Sequence, residues 1–549
     1  MVKGGFDAKA CTVSAPSHWR DLQSVPMRRE THFDGRVVWC FRERPVSVHE
    51  MFARTVAAHP EKDALVGEEG CLSYTDLELR TARIAGGLTA AGLKPGDRVA
   101  LLIANRFAFV EAYLACQRAG LVTVPLNIRQ PAPEIAYACG QCGASALIFD
   151  AELAANIPAD ADIPTVKAFY SVGAPVPRAR PFQDLAGAAP LDPVSVNEED
   201  CAVILYTSGT TGRPKGAMLT HFNIVHSSLH FALSMRFQPG DRNLLAVPAS
   251  HVTGLIANIS TALIHGGAIV FLRAFKAADC LQLMQDQRVT HTLIVPAMYN
   301  LFLLTDGFDD YDLSAWKVGG YGGAPMPEAT IAEMARRAPH VGLMNGYGAT
   351  EATSPVTMCP PENASSHSDT VGLVLHCAEV AVMDENGVEV PPGQQGEIWM
   401  RGPSIIPGYW DNPAANAENF VGGYWKSGDI GSMGRDGFIR VFDRIKDMLN
   451  RGGFKIFSIE VENQLSFHPN VMEMAIIGKP CPVLGERVHA VVVPKDAEPS
   501  DALAEDIRAF AAQRLSDYKV PETIIFRDAP LPRNANGKII KTQLREEYA

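Results

Sequence analysis

Short apolar runs alternate with segments of helical periodicity along most of the chain. Residues 99–104 and 121–124 have the continuous apolar character of buried strands, and residues 107–119 between them repeat apolar positions with the period of a helix. A strand, a helix and a second strand in this order predict a βαβ unit and therefore a parallel sheet. Further buried strands are predicted at residues 146–149, 202–206 and 268–272. We therefore expect an α/β body.

The pattern changes near residue 440, where the charged, glycine-containing segment 443–454 follows this body. Beyond it the apolar pattern predicts strands at 474–477, 488–493 and 523–526 and a helix at 501–515. A stretch of about a hundred residues suffices for a separate small domain. We predict a large N-terminal α/β body, residues 1–443, and a smaller α+β C-terminal domain, residues 444–549, with the boundary at Arg444–Lys446.

Composition narrows the function classes that fit such a chain. The 549 residues are 47% hydrophobic and 20% charged, which is typical of a globular protein. The formal net charge of −12 argues against general binding to nucleic acid or to anionic membranes, so a polyanionic substrate would need a local positive patch. No transmembrane span stands out, because the weakly polar stretch 254–272 contains polar side chains and a Gly-Gly pair. This stretch predicts a buried helix followed by a core strand.

The cysteines favour an intracellular protein. Eleven cysteines are scattered along the chain, as expected for thiols in a reducing cytoplasm, and the N-terminus lacks the apolar region of a secretory signal. Cys139 and Cys142 have the spacing of a redox pair or of half a zinc site. No second cysteine pair has zinc spacing, however, and the flanking sequence predicts a helix that ends near Gly140. We therefore expect structural cysteines and a cytoplasmic location.

Segment 206–216 combines glycines, hydroxyls and one lysine directly after a predicted strand. Gly209 and Gly212 permit positive φ, so that successive N–H groups can point into one concavity and bind an anion. Four hydroxyls and the ammonium of Lys215 would add donors for phosphate oxygens. The spacing differs from that of a Walker A loop, which disfavours a P-loop NTPase. The segment therefore predicts a phosphate site of another kind.

This segment resembles the phosphate loop of the adenylate-forming superfamily, which comprises acyl-CoA synthetases, firefly-type luciferases and nonribosomal peptide synthetase adenylation domains. Five further segments match that superfamily in the right order, and the resemblance runs from roughly residue 45 to the end of the chain. The chain is most similar to bacterial acid–CoA ligases. The resemblance implies ATP, Mg²⁺ and CoA as ligands and a C-terminal domain that moves.

The resemblance assigns an ATP site to residues from several segments. Tyr347 would stack on adenine, Thr350 would touch the α-phosphate region and Glu351 would hold Mg²⁺. An aromatic face suits a purine, and a hard carboxylate oxygen suits magnesium. Asp429 would accept hydrogen bonds from both ribose hydroxyls, and Arg444 would reach the same ribose. The other residues implied in nucleotide binding are Thr207, Ser208, Gly209, Thr210, Thr211, Gly212, Lys215, Gly323, Ala324, Pro325, Gly346 and Gly348.

The resemblance also implies the residues of two catalytic steps. Lys538, in a Pro-x-x-x-x-Gly-Lys segment, would stabilise the negative charge that develops when a carboxylate attacks the α-phosphate. Transfer to a thiol would follow rotation about Lys446, after which Gly452 and Gly453 would line the pantetheine tunnel of CoA. Lys538 also resembles sites that acetyltransferases modify in relatives, so a lysine acetyltransferase and a deacetylase are expected partners.

The segments that border the carboxylate pocket in relatives contain no Asp, Lys or Arg here. They are residues 249–255, 294–299, 319–323 and 346–349. Burying an unpaired charge costs on the order of several kcal/mol, so we expect an acid with a neutral tail. The glycines at 319–323 leave room for bulk, which favours a medium-chain, alicyclic or aromatic acid. His251 is expected either to orient the carboxylate, as in relatives, or to be a packed core histidine.

Three functions fit these observations. The leading one is an AMP-forming acid–CoA ligase, which makes acyl-adenylate and pyrophosphate and then acyl-CoA and AMP. The second is an acyl-AMP ligase that loads a carrier protein, or a luciferase-like enzyme, although the C-terminus is not a peroxisomal Ser-Lys-Leu. The third is an inactive adenylate-binding protein, against which the intact Lys215, Glu351, Asp429 and Lys538 argue. The expected partners are a carboxylate, ATP and CoA, without nucleic acid or stable membrane insertion, and a homodimer is compatible with the resemblance.

Overall fold

The apolar runs of the sequence form strands that are buried on both faces. In the computed structural model, the strands at residues 98–102, 146–150 and 201–207 have nearly continuous buried side chains, as expected for parallel strands covered by helices on each side. The structure describes residues 17–33, 35–207, 213–495, 497–534 and 538–548. It is a mixed α/β protein with a large N-terminal body and a smaller, β-rich C-terminal domain.

The strands in chain order are β1 (Met27–His32), β2 (Arg36–Phe41), β3 (Asp63–Gly67), β4 (Gly70–Ser73), β5 (Arg98–Leu102), β6 (Val122–Pro125), β7 (Ala146–Asp150), β8 (Ala168–Val172), β9 (Arg180–Pro181), β10 (Cys201–Thr207), β11 (Lys215–Thr220), β12 (Arg242–Leu245), β13 (Ala268–Phe271), β14 (His291–Ile294), β15 (Val318–Gly322), β16 (Gly342–Tyr347), β17 (Thr357–Met358), β18 (Leu373–Val374), β19 (Glu379–Met383), β20 (Gly396–Arg401), β21 (Phe420–Val421), β22 (Tyr424–Met433), β23 (Ile439–Arg444), β24 (Leu449–Arg451), β25 (Phe454–Ile456), β26 (Val471–Cys481), β27 (Gly485–Pro494) and β28 (Thr523–Phe526).

The α-helices are α1 (Trp19–Leu22), α2 (Val48–Ala58), α3 (Tyr74–Ala90), α4 (Phe107–Arg118), α5 (Ala132–Cys142), α6 (His221–Ser234), α7 (Thr261–His265), α8 (Ala277–Asp286), α9 (Pro296–Leu303), α10 (Glu328–Arg337), α11 (Pro413–Asn419), α12 (Ser458–Leu465), α13 (Asp501–Ala512) and α14 (Lys541–Tyr548). Short 3-10 helices lie at Ala151–Asn156, Phe182–Gly187, Phe308–Asp310, Thr350–Ala352, Pro361–Asn363 and Asp517–Lys519, and a π-helix spans Thr253–Ser260.

Two large sheets form the core of the body. The seven-stranded sheet has the order β11-β10-β6-β5-β7-β8-β9, and the nine-stranded sheet has the order β18-β17-β16-β15-β14-β12-β13-β3-β4. Strands β16, β15, β14, β12, β13 and β3 run parallel to one another. The carboxyl ends of β12, β14, β15 and β16 therefore meet at one edge, where ligands bind in open α/β sheets.

Two five-stranded sheets follow in the last third of the chain. One contains β19, β20, β21, β22 and β23, and the other contains β24, β25, β26, β27 and β28. Strand β23 ends at Arg444 in the first of these sheets, and β24 begins at Leu449 in the second. The predicted division of the chain at 444–446 stays a prediction, and it falls where the chain leaves one sheet for the other.

The strands and helices that were predicted from the sequence lie within a few residues of observed elements. The predicted βαβ unit is confirmed as β5, α4 and β6, with β5 and β6 parallel. Residues 254–272 contain the predicted helix and strand, but the helix begins as a π-helix. Cys139 and Cys142 are buried thiols of α5, which ends two residues beyond the predicted Gly140. Among the described residues, no helix has both the length and the apolar character needed to cross a membrane.

The β1–β2 hairpin packs on α6 through aromatic and imidazole rings. The ring of Phe41 lies 5.7 Å from His226, 5.2 Å from His230 and 6.0 Å from His376. Burial lowers the pKa of His226 to about 3 and that of His376 to about 4. Neutral imidazoles therefore fill this contact between the hairpin and the body.

Candidate active site

The carboxyl edge of the nine-stranded sheet carries several of the predicted site residues. Tyr347 is the last residue of β16, and Thr350 and Glu351 begin the short helix that follows it. Gly323, Ala324 and Pro325 follow the neighbouring strand β15 in the same way. Because β15 and β16 are parallel and paired, these two turns lie side by side. The expected adenine and α-phosphate segments are thus brought together.

The glycines of β15 do not open a pocket as the sequence suggested. A Cβ on Gly322 would lie 2.5 Å from the carbonyl oxygen of Gly346, and one on Gly320 would lie 3.0 Å from the carbonyl oxygen of Thr292. A Cβ on Gly319 would meet Val341 and the Tyr299 hydroxyl at 3.0 and 3.1 Å. The expectation of free space is therefore wrong for these three glycines, whose hydrogens face packed protein. Gly323, with φ +78°, has open space at its Cβ position.

Tyr347 and Asp429 form one hydrogen-bonded unit. The Tyr347 hydroxyl donates to Oδ2 of Asp429 at 2.6 Å, and Nε of Arg444 lies 3.4 Å from Oδ1 of the same carboxylate. Asp429 and Arg444 are direct partners in the antiparallel pair β22–β23, which fixes this spacing. Burial and the Asp429 charge raise the pKa of Tyr347, so its hydroxyl stays a donor. The predicted adenine and ribose residues therefore lie in contact.

Glu351 lies opposite the ends of β10 and β11. Its Oε1 accepts hydrogen bonds from the Thr207 hydroxyl at 3.4 Å and from the Tyr409 hydroxyl at 3.1 Å. Lys215, the first residue of β11, places its Nζ 5.1 Å from the centre of the Tyr409 ring. The remaining members of the predicted phosphate loop, Ser208, Gly209, Thr210, Thr211 and Gly212, lie outside the described residues. The two described ends of that loop nevertheless frame Glu351.

Lys538 approaches this edge from the C-terminal domain. Its backbone N–H donates to Oδ1 of Asn534 at 3.0 Å, and a backbone bridge joins Arg533 to Ile539 on either side. The Lys538 residue is exposed at the surface of the chain. Desolvation by nearby protein lowers the pKa of Lys538, the charges of Arg444 and Lys446 add to this effect, and those of Asp429 and Glu351 oppose it. The ammonium therefore lies in the combined field of the predicted nucleotide-binding residues.

His251 lies in the loop after β12, within electrostatic range of Lys538. Burial lowers its pKa to about 4, and the positive charge of Lys538 acts in the same direction. Nδ1 of His251 lies 3.2 Å from the Thr253 hydroxyl and 3.3 Å from the Thr253 backbone nitrogen. The imidazole is therefore neutral at pH 7. Both interpretations of His251, a group that orients the carboxylate and a packed core histidine, stay predictions.

The structure does not bring Gly452 and Gly453 to the carboxyl edge of the nine-stranded sheet. They form the turn between β24 and β25, with φ of 60° and 89°, which favours glycine. The Gly452 N–H donates to the carbonyl of Leu484, and the Gly453 N–H donates to Asn450 Oδ1. These contacts are all within the C-terminal domain. Lys446 is exposed between β23 and β24.

The sequence analysis missed Asn105, which links the two large sheets at this edge. Its Nδ2 lies 3.2, 3.0 and 3.2 Å from the carbonyl oxygens of Leu245, Val247 and Leu272, and its Oδ1 accepts the Ala249 N–H at 2.8 Å. The side chain is buried. Asn105 therefore fixes the loop that carries His251. A polar residue three positions after the end of a buried strand, here β5, was the available signal.

Asn105→Ala is expected to lower the free energy of unfolding by about 2–3 kcal/mol, because buried carbonyls and the Ala249 N–H lose their partner. Hydrogen exchange should also quicken in the peptide that covers residues 246–252. Denaturant unfolding and exchange mass spectrometry measure the two effects. Asn197→Ala, which changes an exposed amide, is the control. Unchanged exchange at 246–252 in the Asn105 variant would contradict this role.

Comparisons with known proteins identify the family to which the chain belongs. Residues 52–410 match the family model described as AMP-binding enzyme, and residues 460–538 match the model described as AMP-binding enzyme C-terminal domain. A feruloyl-CoA synthase of Amycolatopsis sp is 37% identical over 479 residues, which cover 87% of this chain and 94% of that protein. A long-chain-fatty-acid–CoA ligase of Mycobacterium tuberculosis is 33% identical over 482 residues, with 87% and 93% covered.

A solved structure shares the fold over nearly the same range. It is O-succinylbenzoate coenzyme A synthetase from Bacillus subtilis in complex with ATP and magnesium ion, with a TM-score of 0.80 and 27% sequence identity. The match covers 90% of this chain and 99% of that chain. Both the body and the C-terminal domain of the chain therefore have counterparts in these proteins.

Proposed function

The chain belongs to the AMP-binding enzyme family and is an AMP-forming acyl-CoA synthetase, and within that class we propose that it activates a medium-chain, alicyclic or aromatic carboxylic acid with a neutral tail. One observation carries the proposed chemistry. Lys538, from the C-terminal domain, lies within electrostatic range of Glu351, Asp429 and His251. A cation at that point can stabilise charge that develops between a nucleotide and an acid.

The residues at the carboxyl edge fit ATP. In this proposal Tyr347 contacts the adenine, Asp429 binds the ribose hydroxyls, and Thr207 and Lys215 bind phosphate oxygens. The contact between the Tyr347 hydroxyl and Asp429 supports the first two roles, because it aligns the ring with the carboxylate. A carboxylate whose Oε1 is already anchored, as in Glu351, suits magnesium at its other oxygen. Magnesium held there would neutralise charge on the phosphate oxygens.

The adenylation step then needs a positioned cation. The acid's carboxylate oxygen attacks the α-phosphorus, the bond to the β-phosphate oxygen breaks, and pyrophosphate leaves. Lys538 would stabilise the additional negative charge on the α-phosphate, because a positioned cation acts most strongly where negative charge develops. We propose that Thr350 contacts the same phosphate. His251 would orient the carboxylate as a neutral hydrogen-bonding group.

Thioester formation would require another arrangement of the C-terminal domain. A thiolate sulfur must attack the acyl carbon, and AMP leaves with one of the original carboxylate oxygens. Gly452 and Gly453, proposed to line the pantetheine tunnel, make their contacts within the C-terminal domain in the present arrangement. We therefore propose rotation about Lys446, whose exposed position between two sheets supports a hinge.

The proposal of a neutral tail rests on the charges near His251. The imidazole, with a pKa of about 4, supplies no positive charge at pH 7. The four acid-facing segments contain no Asp, Lys or Arg. A second carboxylate on the substrate would therefore be buried without a cationic partner, which costs on the order of several kcal/mol. The feruloyl and long-chain fatty acid names of two relatives agree with this proposal.

A panel of carboxylic acids tests both the ligase activity and the preference for acids with an uncharged tail. AMP release is measured with ATP and Mg²⁺, with and without CoA, for hexanoate, cyclohexanecarboxylate and ferulate. Adipate is the matched partner of hexanoate, since it adds only a terminal carboxylate. We expect CoA-dependent AMP release with neutral-tailed acids and at least about a hundredfold lower kcat/KM with adipate. AMP release that never depends on CoA would favour loading of a carrier protein, and equal use of adipate would contradict the neutral tail.

A further inference from the structure

Tyr409 is a buried residue that joins the phosphate segment to Glu351. It is 3% exposed, and its backbone forms a bridge with Ala217 of β11. Oδ1 of Asn416 accepts the Tyr409 N–H at 2.6 Å, and Nδ2 of Asn416 donates to the Tyr409 carbonyl at 3.2 Å. The ring also packs edge-on against Phe420, with centroids 5.8 Å apart. Main chain and ring are therefore held independently of any ligand.

The Tyr409 hydroxyl gives the two oxygens of Glu351 different surroundings. Oε1 accepts from Tyr409 at 3.1 Å and from Thr207 at 3.4 Å. Oε2 has no hydrogen bond within the part of the chain that the structure describes. A carboxylate held through one oxygen keeps its orientation and presents the other oxygen to a ligand.

The face of the same ring supports Lys215. Nζ of Lys215 lies 5.1 Å from the ring centre, which is within the range of a cation–π interaction. The hydroxyl and the face of one side chain thus contact the two groups proposed for the metal and for the phosphates.

We propose that Tyr409 is a positioning residue that orients Glu351 toward magnesium and fixes the distance between that carboxylate and Lys215. The inference rests on the proposed function, because it concerns the same metal and triphosphate. It adds a residue to which the sequence motifs assign no role, 58 positions from Glu351 in the chain.

Tyr409→Phe tests the hydroxyl alone, since the ring stays under Lys215. Outer partners of metal-binding side chains typically contribute 10- to 100-fold to metal affinity, so we expect about tenfold weaker Mg²⁺ binding in the presence of ATP. Mg²⁺ titrations of ATP-dependent thermal stabilisation measure this without turnover. AMP binding without metal should match the wild type. Tyr409→Leu, which also removes the ring, should in addition weaken pyrophosphate binding.

Tyr170→Phe, a buried tyrosine of β8, is the matched control and should behave as wild type in both titrations. If Tyr409→Phe folds poorly, Thr207→Val removes the other donor to Oε1 and should shift the Mg²⁺ titration in the same direction by more than any change in metal-free ATP binding, which is measured alongside because Thr207 is also proposed to bind phosphate. Wild-type Mg²⁺ affinity in these variants, or an equal loss of AMP and Mg²⁺ binding, would overturn the inference. Wild-type protein without any ATP response would instead contradict the proposed function.

Discussion

Lys538→Ala is expected to slow acyl-adenylate formation by about two to three orders of magnitude, the usual effect of removing one charge-stabilising group. Transfer of a supplied acyl-adenylate to CoA should stay close to the wild-type rate. The reason lies in the proposed rotation of the C-terminal domain, which would take Lys538 away from Glu351 and Asp429, the groups whose charges act on it here. Pyrophosphate release measures the first step, and thioester formation from synthetic adenylate measures the second.

Two further substitutions make this test specific. Lys538→Gln, which removes the charge as acetylation does, should resemble Lys538→Ala, whereas Lys538→Arg should retain part of the adenylation rate. Lys495→Ala, at an exposed position of the same domain, is the control and should change neither step. If the Lys538→Ala variant lost both steps equally, Lys538 would not be specific to adenylation. Full activity of protein with stoichiometric acetyl-Lys538 would exclude silencing by acetylation.

Acidification from pH 7 to pH 5 is expected to cost roughly 6 kcal/mol of stability through three buried histidines. The pKa values of His221 and His376 are lowered from 6.5 to about 4, and that of His226 is lowered to about 3, mainly by burial. Each imidazole binds a proton more readily in the unfolded chain. Its stabilising contribution is therefore present above pH 6.5 and is lost as the pH falls toward the folded-state pKa.

At pH 5 each of these groups costs about 2 kcal/mol, and their sum is comparable with the total stability of many domains, about 5–15 kcal/mol. Denaturant unfolding at several pH values measures the loss. His376→Gln removes one titrating group and should reduce the loss by about 2 kcal/mol. His340→Gln, which replaces an exposed imidazole, should leave it unchanged. Stability that stays constant between pH 7 and pH 5 would show that the buried imidazoles do not govern acid unfolding.

Local patterns predicted the strands of the body because those strands are buried on both faces. The runs at 99–104 and 146–149 need only continuous apolar character, and both form parallel strands. The π-helix at Thr253–Ser260 was not predictable in this way. A Cβ on Gly254 would lie 2.2 Å from the carbonyl oxygen of Pro248, so the irregular helix lies against a turn that only the folded chain forms.

Candidate site residues could be predicted where they belong to a sequence motif. The contacts between different motifs could not be predicted. The segments that contain Tyr347, Glu351 and Asp429 are each visible in the sequence, and the structure places them at one edge. Asn105 has no motif of its own, and its partners lie more than a hundred positions away. The glycines of β15 mislead for a related reason, because only the folded chain shows what a side chain would meet there.

The central claim is that the acid's carboxylate attacks the α-phosphate of ATP beside Lys538, and carboxylate labelled with ¹⁸O tests it most directly. After a single turnover with ATP, Mg²⁺ and CoA, mass spectrometry of the products locates the label. The account predicts one ¹⁸O in AMP and the other in the thioester carbonyl. Label in pyrophosphate or orthophosphate, or AMP without label, would contradict it.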